Sequence, residues 1–99
     1  MPYGLTEIEL SKLIAAVAET PEVEEIILYG SRARGNHRRF SDIDLTLTGI
    51  NLERKHLYRI LERIDDLYLP YEIDLSILAE IDHPPLLEEI HSEGIRLYP

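Results

Sequence analysis

The sequence predicts an α+β fold, a small mixed β-sheet of about three strands with helices packed mainly on one face. Three observations predict it. Three segments repeat apolar residues at helical spacing, three others run apolar or alternate over strand lengths, and the two kinds are interleaved along the chain.

Thr6 followed by Glu9 fits a capping box, and Leu10, Leu13, Ile14 and Val17 then recur at helical spacing, which predicts a first helix from Thr6 to about Ala18. Pro21 separates it from Glu25-Ile26-Ile27-Leu28-Tyr29, a short β-rich run ended by Gly30, read as a buried first strand. Asp42 to Thr48 alternates polar with apolar and is closed by Gly49, a half-buried second strand. Asn51 is expected to cap a long helix whose apolar face is Leu52, His56, Leu57, Ile60, Leu61, Ile64 and Leu67, ending near Leu69-Pro70. Tyr71 to Leu78 alternates again as a third strand, and Pro84 and Gly94 bracket a last helix. The long helix is a sufficient right-handed crossover, so strands two and three should be parallel neighbours. The link between strands one and two leaves their relative direction open.

At 99 residues the chain is expected to form one domain spanning residues 1–99. No apolar run approaches the roughly 20 residues of a membrane span, and the N-terminus lacks the pattern of a signal peptide. With no cysteine, a cytoplasmic location is expected and no membrane partner. The formal net charge of −9, from 19 acidic against 10 basic residues, argues against nucleic acid as a direct partner. Arg32, Arg34, Arg38 and Arg39 nevertheless gather in one short stretch.

Asp42 and Asp44 are two apart in a strand and must project from the same face. If strand three runs parallel beside strand two, Asp74 joins them from its own polar face. Three carboxylates so close repel, and a divalent cation is the usual compensation; all-oxygen ligands favour Mg²⁺ or Mn²⁺. His37, His56, His83 and His91 show no paired metal spacing. Gly30-Ser31 stands where the first strand stops and a helical turn can begin, leaving backbone N–H groups free for a phosphate. Each feature alone is ordinary. A lone Asp is most often solvated, and Ser after Gly is most often a turn or cap.

Together they are specific. The run GSRARGNHRRFSDIDL, from Gly30 to Leu45, with Asp74 on a later strand, resembles the signature of the DNA polymerase β-like nucleotidyltransferase superfamily. The Ser-Arg-Ala-Arg-Gly and Ser-Asp-Ile-Asp-Leu wording, with the ending Glu93-Gly94-Ile95-Arg96-Leu97-Tyr98, resembles its minimal nucleotidyltransferase (MNT) family. The resemblance implies that Gly30 and Ser31 bind the nucleotide, with Arg32 and Arg34 as further phosphate or partner contacts. It implies that Asp42, Asp44 and Asp74 are catalytic, hold two Mg²⁺ ions (or Mn²⁺), and use ATP as substrate. It further implies a HEPN-type toxin as partner, silenced by transfer of AMP to a tyrosine, so that the protein acts as an antitoxin. The chain has no room for a second, acceptor-binding domain, which favours an acceptor brought by another protein. Two other readings keep the same fold: an antitoxin that neutralises its partner by contact alone, and a transferase with a small-molecule acceptor.

Overall fold

In the computed structural model, which describes residues 1–99, Thr6 caps the first helix as its sequence requires. Its hydroxyl accepts from the Glu9 backbone N–H at 3.0 Å, and the Glu9 carboxylate accepts from the Thr6 N–H at 2.9 Å. These are two of the donors that a helix start would otherwise leave unpaired. The elements in order are α1 (Glu7–Ala18), β1 (Glu25–Tyr29), α2 (Ser31–Arg34), β2 (Ile43–Thr48), α3 (Arg54–Asp65), β3 (Ile73–Ile77), α4 (Pro84–Glu93) and β4 (Ile95–Tyr98).

The sheet has four strands in the order β3-β2-β1-β4, one more than the sequence pattern suggests. β1 pairs antiparallel with both β2 and β4, while β2 and β3 are parallel across the α3 crossover. The additional strand is β4, whose Ile95 and Arg96 align with Leu28 and Ile27. The long helix also differs from expectation. Its cap is Glu53, not Asn51: the Glu53 backbone N–H donates to His56 Nδ1 at 2.9 Å in a reciprocal capping box. It stops at Asp65, short of Leu69-Pro70, and Tyr68 beyond it takes a left-handed φ of 52°.

Period-two alternation sorts the sheet into two faces. Ile26, Leu28, Ile43, Leu45, Leu47 and Ile77 point to one side and pack against Leu13 and Val17 of α1 and Ile60 and Ile64 of α3. Each such side chain, removed from water, contributes roughly 1.5–3 kcal/mol. The other face carries Ile27, Tyr29, Asp44, Thr46, Asp74 and Ser76. It is not wholly open, because α4 lies over part of it. Ile90 is buried there, and a Cβ on Gly94 would come within 2.9 Å of the Ile27 Cγ2. What α4 leaves uncovered is the end of the sheet where β1 stops and β2 and β3 begin.

Candidate active site

At that end three residues stand in one cross-strand row. Tyr29 is the register partner of Asp44, and Asp44 is the register partner of Asp74. Neighbouring strands lie about 4.8 Å apart, so the two carboxylates start from adjacent backbone positions. The next row locks that register: the Ser76 hydroxyl donates to Thr46 Oγ1 at 2.9 Å. Asp42 sits just before β2, whose first residue, Ile43, donates its N–H to the Glu72 carbonyl at 2.9 Å.

Facing the row is the turn from β1 into α2. Gly30 caps that short helix with φ 78° and ψ −156°, a region open in practice only to glycine. A Cβ on Gly30 would collide with the Asp44 carboxylate, so the turn and the acidic strand are packed as closely as the missing side chain permits. Gly35, at φ 81°, ends the helix by donating its N–H to the Ser31 carbonyl. The first N–H groups of a helix have no acceptor inside it, and the two residues at this helix start, Gly30 and Ser31, line the cleft.

Gly30, Ser31, Arg34, Asp42, Asp44 and Asp74 all line a single open cleft of about 620 Å³, together with Tyr29, Phe40, Ser41, Leu86 and Glu89. A larger groove of about 760 Å³, among Tyr58, Leu61, Tyr68, Tyr71 and Ile73, contains none of the motif residues. Arg34 is ion-paired to Glu89 of α4 at 3.3 Å.

Arg32 is placed elsewhere. Although the resemblance implies a phosphate or partner contact, its side chain is only 1% exposed and does not line the cleft. Its guanidinium donates to the Tyr3 carbonyl at 2.8 Å, to the Ser41 carbonyl at 2.8 and 3.1 Å, and to the Arg39 carbonyl at 3.4 Å. It also lies 4.7 Å from the centre of the Tyr71 ring. The Ser41 side chain completes this anchor by accepting from the Arg38 N–H at 2.7 Å. Arg32 and Ser41 thus fix the loop that delivers Asp42. The adjoining Ser in Ser-Asp-Ile-Asp was the available signal for this role; for Glu89, an ordinary helix carboxylate, there was none.

The electrostatics of the row follow from this crowding. Burial raises the Asp44 carboxyl above the usual carboxylate range, Asp74, Asp42 and Glu89 raise it further, and Arg34 opposes them. Tyr29 is raised as well, first by burial and then by Asp74, with a Ser76 hydrogen bond acting in the opposite sense. No three carboxylate or imidazole side chains are gathered at closed metal-ligand spacing. A set of hard oxygens that disfavours its own charge fits a divalent cation.

A glycine turn pressed against strand carboxylates, on a mixed sheet with this topology, defines a nucleotidyltransferase fold. Residues 11–99 match the family described as Polymerase beta, Nucleotidyltransferase, and the chain belongs to that family. Among solved structures it is similar to a chain of a toxin–antitoxin complex with AMP-PNP, with a TM-score of 0.71 and 24% identity over 95% of this chain and 73% of that one. A chain from the complex of a tri-AMPylated Shewanella oneidensis HEPN toxin with an MNT antitoxin gives a TM-score of 0.70 and 19% identity, covering 95% of this chain and 72% of its own. The MntA–HepT toxin–antitoxin structure gives a TM-score of 0.68 and 19% identity, covering 94% and 72% respectively. At these identities the likeness establishes the fold. No curated protein matches the chain. No helix is long and apolar enough to cross a membrane.

Proposed function

We propose that this protein, as one cytoplasmic domain spanning residues 1–99, transfers AMP from ATP to a tyrosine hydroxyl of a HEPN-type toxin and thereby acts as its antitoxin. The observation that carries the reading is the single cleft in which Gly30 and Ser31 face Asp42, Asp44 and Asp74. Family membership supports the reaction class. The similar complexes, one with AMP-PNP and one with a tri-AMPylated HEPN toxin, support the nucleotide and the partner.

In this reading the α2 N–H groups and the Ser31 hydroxyl hold the triphosphate, and Arg34 adds a cation beside it once released from Glu89. Asp42, Asp44 and Asp74 would hold Mg²⁺, or Mn²⁺, as a pair of ions. When bound, the metal neutralises the crowded carboxylates and the charge that develops on the phosphoryl oxygens. Asp74, exposed at the start of β3, accepts the proton as the acceptor oxygen bonds to the α-phosphorus. The bond to the leaving pyrophosphate breaks in the same displacement. Arg32 and Ser41 contribute by position, through the loop before Asp42.

The test is intact-protein mass spectrometry of a cognate HEPN-type partner, incubated with the protein, ATP and Mg²⁺. The expected result is a gain of one or more adenylate masses on tyrosine, lost with Asp74→Asn. A partner that stays unmodified, yet is inhibited equally by wild type and by the Asp42→Asn, Asp44→Asn and Asp74→Asn variants, would overturn transfer in favour of neutralisation by contact.

A further inference from the structure

Among the apolar residues that line the cleft, Tyr29, Phe40 and Leu86, only Phe40 is a largely exposed side chain, with 61% of its surface open. The transfer chemistry makes no use of it. Its position is nevertheless built from the inside outward. The buried Arg32 guanidinium lies 4.7 Å from the centre of the Tyr71 ring, and the Tyr71 and Phe40 ring centres are 6.4 Å apart at a tilt of 42°. The loop beneath is held at both ends, since Arg32 binds the Arg39 and Ser41 carbonyls on either side of Phe40. The outermost member is Arg39, whose guanidinium carbon sits 5.3 Å from the Phe40 ring centre. That contact is a weak hold at an exposed site. A flat, delocalised group therefore already occupies the ring, attached by a long and exposed side chain that can leave.

We infer that Phe40 is the platform on which the nucleobase of the bound triphosphate stacks, displacing Arg39. The inference rests on the nucleotide-binding reading above and deepens it. Phe40 is two residues from Asp42, a chain distance of at most about 7 Å, which places the ring roughly one sugar away from phosphate held at the carboxylates. Exposed aromatic rings bind bases through their faces, and every base has such a face. The platform therefore adds affinity without selecting the base, so ATP and GTP gain equally from it.

Calorimetry in Mg²⁺ with ATP, GTP and inorganic tripolyphosphate on wild type and Phe40→Leu tests this. Because Phe40 is exposed, its replacement leaves the fold in place. Phe40→Leu should weaken ATP and GTP alike, roughly tenfold, and leave tripolyphosphate within about twofold. Phe40→Trp should keep ATP affinity, and its indole, in a chain with no other tryptophan, should be quenched by ATP but not by tripolyphosphate. Equal weakening of all three ligands, no weakening at all, or ATP binding without quenching would overturn the platform. Wild type that binds tripolyphosphate no less tightly than ATP would overturn the platform while sparing the phosphate site. Wild type that binds neither would overturn the nucleotide-binding reading itself, and the platform with it.

Discussion

Replacing Gly30 with alanine separates a strained backbone from a steric collision in the same cleft. At φ 78° and ψ −156° a residue with a side chain costs roughly 1–3 kcal/mol. For a domain of this size each kcal/mol shifts the melting temperature by about 4–8 °C, so the backbone part alone lowers it by roughly 4–24 °C. The new Cβ also drives into the Asp44 carboxylate, which must leave its place beside Asp74. Gly35→Ala is the matched control: its φ is 81°, and a Cβ there meets nothing within 4 Å. It should cost only the left-handed penalty of about 1–2 kcal/mol and leave Mg·ATP affinity unchanged. Thermal melts and calorimetry on both variants, repeated in an Asp44→Ala background, form a double-mutant cycle. Removing the Asp44 carboxylate should recover the collision part of the Gly30→Ala cost and none of the backbone part. If Gly30→Ala proves no more harmful than Gly35→Ala to either stability or nucleotide binding, the close packing of turn and strand plays no part in the site.

Asp42→Asn combined with Asp44→Asn should abolish metal-dependent ATP binding by calorimetry while leaving the metal-free melting temperature unchanged or higher, because it relieves carboxylate repulsion; a large drop would make these residues structural. Asp44, raised in the folded state, holds its proton more tightly than the unfolded chain does. Metal-free stability should therefore fall as pH rises from the ordinary carboxylate range up to the raised value, a slope that Asp44→Asn should flatten in urea titrations at stepped pH. Arg32→Leu should cost about 3 kcal/mol in urea unfolding, because buried carbonyls lose their donor. Unchanged stability with lost ATP affinity would instead make Arg32 a direct ligand.

The elements legible in the sequence are those whose reason is local. The capping box of Thr6 and Glu9, the bounds of β1, and the parallel pairing of β2 with β3 all follow from spacing and from the length of the crossover. β4 was not legible because four residues after a helix carry too short an alternation; β1 on its far side makes them a strand. Asn51 is the favoured cap by residue type, yet Glu53 takes the position because the folded turn brings the His56 imidazole back to the Glu53 N–H. In the cleft, the spacing of the aspartates in strands located three of the carboxylates. Arg32, which the resemblance marks as a phosphate or partner contact, is instead buried. Its actual partners are carbonyls of Tyr3, Arg39 and Ser41, set by the fold-back of the loop. Phe40 and Glu89 have no local signature and enter the site through tertiary packing.

The single guanidinium that joins the Tyr3, Arg39 and Ser41 carbonyls also decides how the molecule breathes. Segments tied through one shared, buried donor do not open one at a time; they form a cooperative unit with a common opening free energy. The Leu5 amide, bonded to the Pro2 carbonyl, and the Ser41 amide, bonded to the Arg38 carbonyl, lie in different parts of the chain. In hydrogen exchange they should nevertheless show matched protection, and ligand bound in the cleft should slow both together. The first turn of the chain is in that sense tied to the loop that delivers Asp42, although about thirty-five residues separate them in sequence.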